Sequence, residues 1–158
     1  MKRIIINESS KLTPDFDYYQ YILWQFDIYD ENYENYLDYV SNKEDSINVD
    51  YREIVPKYAE LGFAYWLLDE TIKQEKAAEK ALDMMLNLQG YEVDARYHSS
   101  LGIIYAMLGR DDEAVREAKM AISLAPPTKD IFISDYFEYS LAAIYIVRDP
   151  RDVIFSYV

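Results

Sequence analysis

The stretch Leu101-Gly102-Ile103-Ile104-Tyr105 decides the fold, because two other parts of the chain repeat it. LGFAY at residues 61–65 and LAAIY at residues 141–145 are each displaced from it by forty positions. A weaker copy, YILWQ, lies at residues 21–25. A fixed period of this length is typical of repeat proteins, in which each repeat is one supersecondary unit stacked on its neighbours.

The repeats are predicted to be pairs of helices. The chain has only four glycines and five prolines, so few residues interrupt a helix. Leu101 and Tyr105 lie one helical turn apart and would fill the seam between two helices. Gly102 carries no side chain, which suits a point where two helices cross closely.

The N-terminal copy also fits a helix pair. Thr13 followed by Pro14 is a helix start, with a capping hydroxyl before a proline at the first helical position. Apolar residues then recur on one helical face at Phe16, Tyr19, Leu23 and Phe26. A second helix after the polar break at residues 30–32 carries Tyr33, Tyr36, Leu37 and Val40. Residues 43–50 are predicted to form a loop.

Residues 95–128 resemble a tetratricopeptide repeat. The positions that match the family pattern in register are Leu101, Gly102, Tyr105, Ala114, Ala121 and Pro126. Two positions depart from it, since His98 stands where the family often has Trp and Ala118 where it usually has an aromatic residue. The spacing also exceeds the family's roughly 34 residues. We place the extra residues in loops at 89–94 and 129–134.

The resemblance implies an all-α fold, a right-handed superhelical array of antiparallel helix pairs with about seven helices. A single domain would cover residues 1–158. Its repeats would span about 13–42, 51–90, 95–128 and 135–158, the last one incomplete. After Pro150 the chain carries the apolar residues Val153, Ile154, Phe155 and Tyr157, whereas repeat arrays normally end in a polar capping helix. This end is therefore either covered by another copy, as in a homodimer, or cut from a longer protein.

The composition bounds where such a protein works. A length of 158 residues suits one ordinary domain, and a 51% hydrophobic composition argues against disorder. The chain has no cysteine, which excludes disulfides and thiolate metal sites and favours a cytoplasmic location. The N-terminus MKRIIINESS lacks the apolar run of a signal peptide. No apolar stretch is long enough to span a membrane.

The net charge of −13 limits the partners. Residues 12–42 contain seven Asp or Glu and no Lys or Arg, so phosphate would be repelled from this segment. We therefore expect no nucleic acid and no membrane among the partners, and a basic or apolar partner is favoured. The same charge is also explained by solubility alone.

Neither an active site nor a metal site stands out. The only histidine is His98, for which we expect a packing role rather than a role in a metal site or a catalytic triad. The acids at 111–113 suit the start of a helix. Residues 27–38 lack the glycine and spacing of a calcium loop, and four glycines leave no phosphate-binding loop. We expect neither a catalytic residue nor a cofactor, and no metal.

In the proteins that the chain resembles, the first helix of each repeat lines a concave groove. Its second, fifth, ninth and twelfth positions meet the ligand. Carried over, these positions are Phe16, Tyr19, Leu23, Phe26, Pro56, Ala59, Phe63, Trp66, Arg96, Ser99, Ile103, Ala106, Tyr136, Tyr139, Ala143 and Ile146. From them we select as partner-binding residues Phe16, Tyr19, Leu23, Phe26, Phe63, Trp66, Arg96, Ile103, Tyr136 and Tyr139. This surface is aromatic and almost uncharged. In the family's best-known binding mode, Lys, Arg and Asn side chains bind a ligand carboxylate, and at these positions the sequence supplies only Arg96.

The expected function is therefore a non-enzymatic scaffold that binds a protein or peptide, either apolar or basic, in an aromatic groove. One alternative is a structural, oligomerising or regulatory module, in which these side chains close on each other or on a second subunit. An enzyme built from distant carboxylates is a third hypothesis, which no residue pattern favours.

Overall fold

The computed structural model describes residues 5–8, 30–50, 53–125 and 137, and within these ranges the chain is mostly helical. The elements are β1 (Ile5–Glu8), α1 (Tyr33–Ser41), β2 (Ser46–Val49), β3 (Ile54–Pro56), α2 (Lys57–Leu67), α3 (Thr71–Leu86), α4 (Ala95–Met107) and α5 (Asp111–Leu124). Among the described helices, none is long and apolar enough to cross a bilayer.

Two helical hairpins, α2–α3 and α4–α5, make up most of the described residues. Their second helices turn a row of small residues inward, and the buried alanines are Ala77, Ala78 and Ala81 on α3 and Ala114, Ala118 and Ala121 on α5. Short side chains let the two helix axes approach closely. The predicted helix pairs within residues 51–90 and 95–128 are therefore confirmed.

The two hairpins use the same turn. The amides of Glu70 and Arg110 donate to the carbonyls of Tyr65 and Tyr105, five residues earlier, at 2.8 and 2.9 Å. The residue before each of them has a left-handed backbone, with φ of 57° at Asp69 and 66° at Gly109. This is the Schellman pattern, which satisfies the last carbonyls of the first helix.

Helix α1 begins in the same way. Glu31 has a φ of 58°, and Asn32 precedes the helix with a ψ of 57°. The corresponding ψ angles are 61° at Glu70 and 69° at Arg110. The prediction of a helix carrying Tyr33, Tyr36, Leu37 and Val40 is confirmed, and Tyr36 and Val40 are buried. The two residues before each of these three helices thus have similar backbone angles.

The prediction of a mainly helical chain is confirmed for the described residues, but a small three-stranded sheet accompanies the helices. β1 pairs parallel with β2, with Ile6 opposite Ile47. β2 pairs antiparallel with β3, with Asn48 opposite Val55. The loop predicted at residues 43–50 is therefore wrong for Ser46–Val49, because Ile47 and Val49 alternate with the exposed Asn48 in the period of a half-buried strand. Residues 43–45 have no helix or strand, as predicted.

The sheet joins the hydrophobic core instead of standing apart. Ile47 and Ile54 are fully buried and share one cluster with Met85, Leu101 and Ile104. Apolar strand residues thus cover part of the helical layer. Burying their apolar surface stabilises the fold by roughly 25 cal/mol per Å² removed from water.

Leu61 and Leu101 both lie in the core, as the forty-residue rhythm predicts. The loop predicted at 89–94 separates α3 from α4 and is confirmed. Outside the described residues lie the helix predicted to start at Thr13, the loop at 129–134, Leu141 and the C-terminal end. Phe137, the one described residue of the last predicted repeat, is helical and buried. The described ranges contain five of the expected helices.

Candidate functional site

Four of the ten predicted partner-binding residues lie within the described ranges. Phe63 and Trp66 are on α2, and Arg96 and Ile103 are on α4. The other six lie outside the described residues, namely Phe16, Tyr19, Leu23, Phe26, Tyr136 and Tyr139.

The two aromatic residues of α2 form a cluster with Tyr36 of α1. The Phe63 and Trp66 rings are stacked, with centroids 5.5 Å apart and planes 26° apart. Tyr36 meets Phe63 edge-on at 6.1 Å. We call these three residues the aromatic cluster. Tyr36 is buried, whereas Phe63 and Trp66 are half-buried and present part of their surface to solvent.

Burial determines the protonation state of Tyr36, the one titratable residue of the cluster. It raises the pKa of the Tyr36 phenol well above its ordinary value, and the nearby Glu60 carboxylate raises it further. The phenol therefore remains neutral at physiological pH. Among the described residues the cluster offers flat aromatic surface for packing, but no ionised group of its own.

Paired charges flank the cluster. The Lys43 ammonium lies 4.8 Å from the centroid of the Tyr39 ring and donates to Glu60 at 2.7 Å. On another side Lys73 lies 5.6 Å from the Tyr65 ring. Cations over aromatic faces are attracted by the ring quadrupole, so these side chains rest on the neighbouring tyrosines.

Arg96 is engaged within the chain. Its guanidinium forms an ion pair with Asp94, with Nη2 2.6 Å from Oδ2, and another nitrogen donates to the backbone carbonyl of Asp50. The Asp94 side chain also caps α4 by accepting from the Arg96 amide at 2.9 Å. Burial raises the pKa of Asp94, but the hydrogen bonds from Arg96 outweigh it, and the net pKa is lowered. Arg96 thus ties the β2–β3 connection to the start of α4.

The resemblance implies that positions two and five of each first helix contact a ligand, but the structure does not leave these positions available. Pro56 is the last residue of β3 rather than a helical residue, and it is buried. Ala59 packs in the same cluster as Ile54, and Ser99 is also buried. The sheet accounts for Pro56 and Ala59, because β2 and β3 cover the start of α2.

Positions nine and twelve are more accessible. Phe63 and Trp66 on α2 and Ile103 and Ala106 on α4 are all half-buried rather than buried. α2 and α4 meet directly, since a Cβ built on Gly62 would lie 3.3 Å from the Met107 sulfur. The part of the predicted site with accessible surface is therefore the C-terminal half of each first helix.

Sequence reasoning missed a buried lysine. Lys57, the first residue of α2, donates to the carbonyl of Ser41 at 3.0 Å and to that of Lys43. It also lies 3.3 Å from Asp45. These carbonyls belong to the last residue of α1 and to the second residue after it, so the ammonium satisfies acceptors that a helix terminus leaves unpaired. No pattern of spacing marks this lysine, since a charged residue at a helix start ordinarily faces solvent.

His98 serves as a link between elements. Its Nδ1 lies 2.7 Å from a carboxylate oxygen of Glu117, and its Nε2 lies 3.0 Å from the carbonyl of Glu92. The ring also packs edge-on against Tyr97. These contacts join α4 to α5 and to the preceding loop, which is a structural role of the kind expected for this position.

Across the described ranges, no group of three or more His, Asp or Glu side chains is arranged to hold a metal ion. In comparisons with known proteins, no family model, curated protein or solved structure matches the chain.

Proposed function

We propose that the chain is a non-enzymatic scaffold that binds a protein or peptide through the accessible faces of its first helices. The observation that carries this proposal is the half-buried aromatic surface of Phe63 and Trp66 on α2. Large, rigid aromatic side chains with part of their surface exposed are the commonest anchors of protein interfaces. A partner with apolar anchors and basic flanks would suit an acidic chain.

The repeat architecture supports the proposal. The α2–α3 and α4–α5 hairpins bury equivalent leucines and close with the same turn. We propose that the remaining predicted repeats continue this pattern as a tetratricopeptide-like superhelical array of about seven helices. In such an array Ile103 and Ala106 would extend the surface that Phe63 and Trp66 begin. A cytoplasmic location is also part of the proposal and rests on the lack of cysteine.

Capture of partners from a cell lysate tests the proposal. The bait is the wild-type chain, compared with Phe63→Asp and with Ile103→Asp at the corresponding position of α4. The matched control is Val93→Asp, which makes the same change in charge at an apolar residue that is 81% exposed. We expect a partner that the wild type and the control retain and that both first-helix variants lose.

Circular dichroism separates lost binding from lost folding. Phe63 contacts Tyr36 and Trp66, so Phe63→Asp removes packing as well as surface. A helical spectrum equal to that of the wild type makes the comparison valid, and the Ile103→Asp variant gives a second reading. A set of captured proteins that all four baits retain equally would contradict the proposal.

A structural or oligomerising module is the second candidate. It is favoured by the internal packing of the aromatic cluster, in which Phe63 and Trp66 contact each other and Tyr36. We place the homodimer contact of this alternative at residues 150–158. Sedimentation equilibrium tests it, since it predicts a dimer that Phe155→Asp dissociates. A monomer at all concentrations contradicts it.

A further inference from the structure

A groove outside the first-helix surface lies between α3 and the turn that joins α4 to α5. Its volume is about 430 Å³. The lining residues are Glu75, Glu79, Leu82, Asp83, Leu86, Leu108 and Arg110. None of the predicted partner-binding residues belongs to it, so a ligand here would occupy a surface distinct from that of the proposed function.

The groove has an apolar strip. Leu82 and Leu108 are half-buried and pack against the hydrophobic core. Leu86 follows Leu82 by one helical turn and is 59% exposed. A single exposed leucine is common on protein surfaces. Here all three leucines line the same groove, so an apolar partner seated in it has leucine surface to cover.

Three carboxylates run beside this strip. Glu75, Glu79 and Asp83 follow one another at four-residue steps, which places them on one face of α3 over about 12 Å. Like charges at this spacing destabilise a helix. In the part of the chain that the structure describes, no ion pair involves any of the three; Asp83 accepts a hydrogen bond from the Asn87 amide at 3.1 Å.

The one cation in the lining is already paired. The Arg110 guanidinium donates to Glu113, with Nε 2.9 Å from Oε1. It also lies 4.6 Å from the centroid of the Tyr105 ring. Arg110 is therefore engaged with Glu113, and the lining holds three carboxylates of α3 against this one paired cation.

We propose that this groove docks an amphipathic helix of a partner protein, one with Lys or Arg at four-residue steps next to leucine-sized apolar side chains. The carboxylates recur every 6 Å along α3, and one turn of a partner helix rises about 5.4 Å, so three basic residues can meet three acids in register. The net charge of −13 opposes a second copy of this chain in the same place.

Fluorescence anisotropy with a synthetic probe tests the docking. The probe is a labelled peptide of roughly 18 residues, about 27 Å long as a helix, with leucines on one face and lysines at four-residue steps beside them. A peptide of the same composition in shuffled order controls for unspecific attraction to an acidic protein. We expect the ordered peptide to bind more tightly at physiological salt, where bulk attraction is screened.

Two variants with equal charge locate the binding. The groove variant combines Glu75→Gln, Glu79→Gln and Asp83→Asn. The matched control combines Glu31→Gln, Glu34→Gln and Glu44→Gln, which are exposed acids outside the groove lining. We expect the groove variant to raise Kd at least about tenfold and the control less than about threefold. Leu86→Asn, which keeps the charge, is expected to raise Kd about fivefold.

Three results would overturn the proposal. Equal weakening in the two charge variants would assign the peptide to the whole acidic surface. Equal affinity for the ordered and shuffled peptides would show that the leucine face makes no contact. Sedimentation that finds a wild-type dimer, lost in Leu86→Asn, would assign the groove to a second copy of the chain. The first-helix variant Phe63→Asp is expected to bind the peptide like the wild type, which separates this surface from the proposed function.

Discussion

The hairpins α2–α3 and α4–α5 reach the same turn with different residues. At the left-handed position one has Asp69 and the other Gly109, yet the φ angles differ by only 9°, from 57° to 66°. Glycine adopts this conformation without strain, whereas a residue with a Cβ pays an energetic cost there. The turn geometry is therefore imposed by the packing of the two helices, and glycine only lowers its cost.

The starts of the two hairpins differ more. α4 is capped by the Asp94 side chain, whereas α2 follows Pro56 without a side-chain cap. At the first turn α2 instead places Lys57 against the end of α1, and the residue forty positions later is Tyr97, which donates to the Met85 carbonyl. Unrelated side chains of equivalent helices thus have the same role, which is to pair backbone groups near helix ends.

The largest expected effect is on the two hydrophobic clusters, one of which contains Leu61 and the other Leu101. Leu61→Ala and Leu101→Ala should each lower the free energy of unfolding by about 2–5 kcal/mol, because both remove a buried side chain and leave a cavity. Urea denaturation followed by circular dichroism measures both losses. A loss below about 0.5 kcal/mol for either one would show that the two leucines are not equivalent.

The second largest effect is expected at Lys57, which only the α2–α3 hairpin has. Lys57→Met should lower the free energy of unfolding by about 1–3 kcal/mol, because the carbonyls of Ser41 and Lys43 lose their buried donor. Lys73→Met is the control, since Lys73 is exposed and its pair with Glu70 contributes little. If both variants unfold at the same urea concentration, the ammonium does not stabilise the end of α1.

The turn gives a smaller effect with opposite signs in the two hairpins. Gly109→Ala should lower the free energy of unfolding by about 1 kcal/mol, because φ is positive at this position. A steric clash does not contribute, since a Cβ at this position would meet nothing within 4 Å. Asp69→Gly should stabilise by less than about 1 kcal/mol, since Asp69 also interacts with other groups. Thermal unfolding measures both, and a stabilising Gly109→Ala would contradict a turn imposed by packing.

The smallest effect is a dependence on pH near α2. The hydrogen bond from Tyr58, at 2.6 Å, is the main cause that lowers the pKa of Asp45, and Lys57 and Lys80 lower it further. Its stabilising contribution is therefore present above about pH 4, the ordinary range of a free Asp, and is lost as the pH falls through the lower folded value. The Asp45 side chain is 60% exposed, so we expect less than about 1 kcal/mol.

Asp45→Asn tests this dependence. Unfolding of the wild type and the variant should differ at pH 6 and converge towards pH 3, because protonated Asp45 no longer attracts its cations. A difference that stays constant between these two pH values would exclude a contribution from the charge.

The helix pairs could be predicted from the sequence because their signals are local. Ala114 and Ala121 lie two turns apart on α5 and Gly102 lies on α4, and small residues placed in this way indicate close helix crossings. The helix pair within residues 51–90 is indicated by LGFAY at 61–65, which repeats the motif at 101–105. The turn at Asp69 carries no such signal, since aspartate is common in many loop conformations.

The sheet could not be predicted, because its pairing is not local. β1 and β2 are about forty residues apart, and β2 shows only two apolar residues, Ile47 and Val49, in alternation. So short a pattern is indistinguishable from a loop by periodicity alone. Because the strands are not predicted, their burial of Pro56 and Ala59 in the candidate site is not predicted either. The acidic groove was missed too, since its carboxylates and Leu108 meet only after α3 and α4 have packed.

Nuclear Overhauser effects between α2 and α4 most directly test whether these hairpins stack as equivalent repeats. The Met107 side chain lies against Gly62, so we expect contacts from the Met107 methyl group to the Gly62 α protons, together with helical chemical shifts over α2, α3, α4 and α5. Helical shifts without any contact between α2 and α4, or extended shifts through residues 57–67, would contradict the stacked repeat.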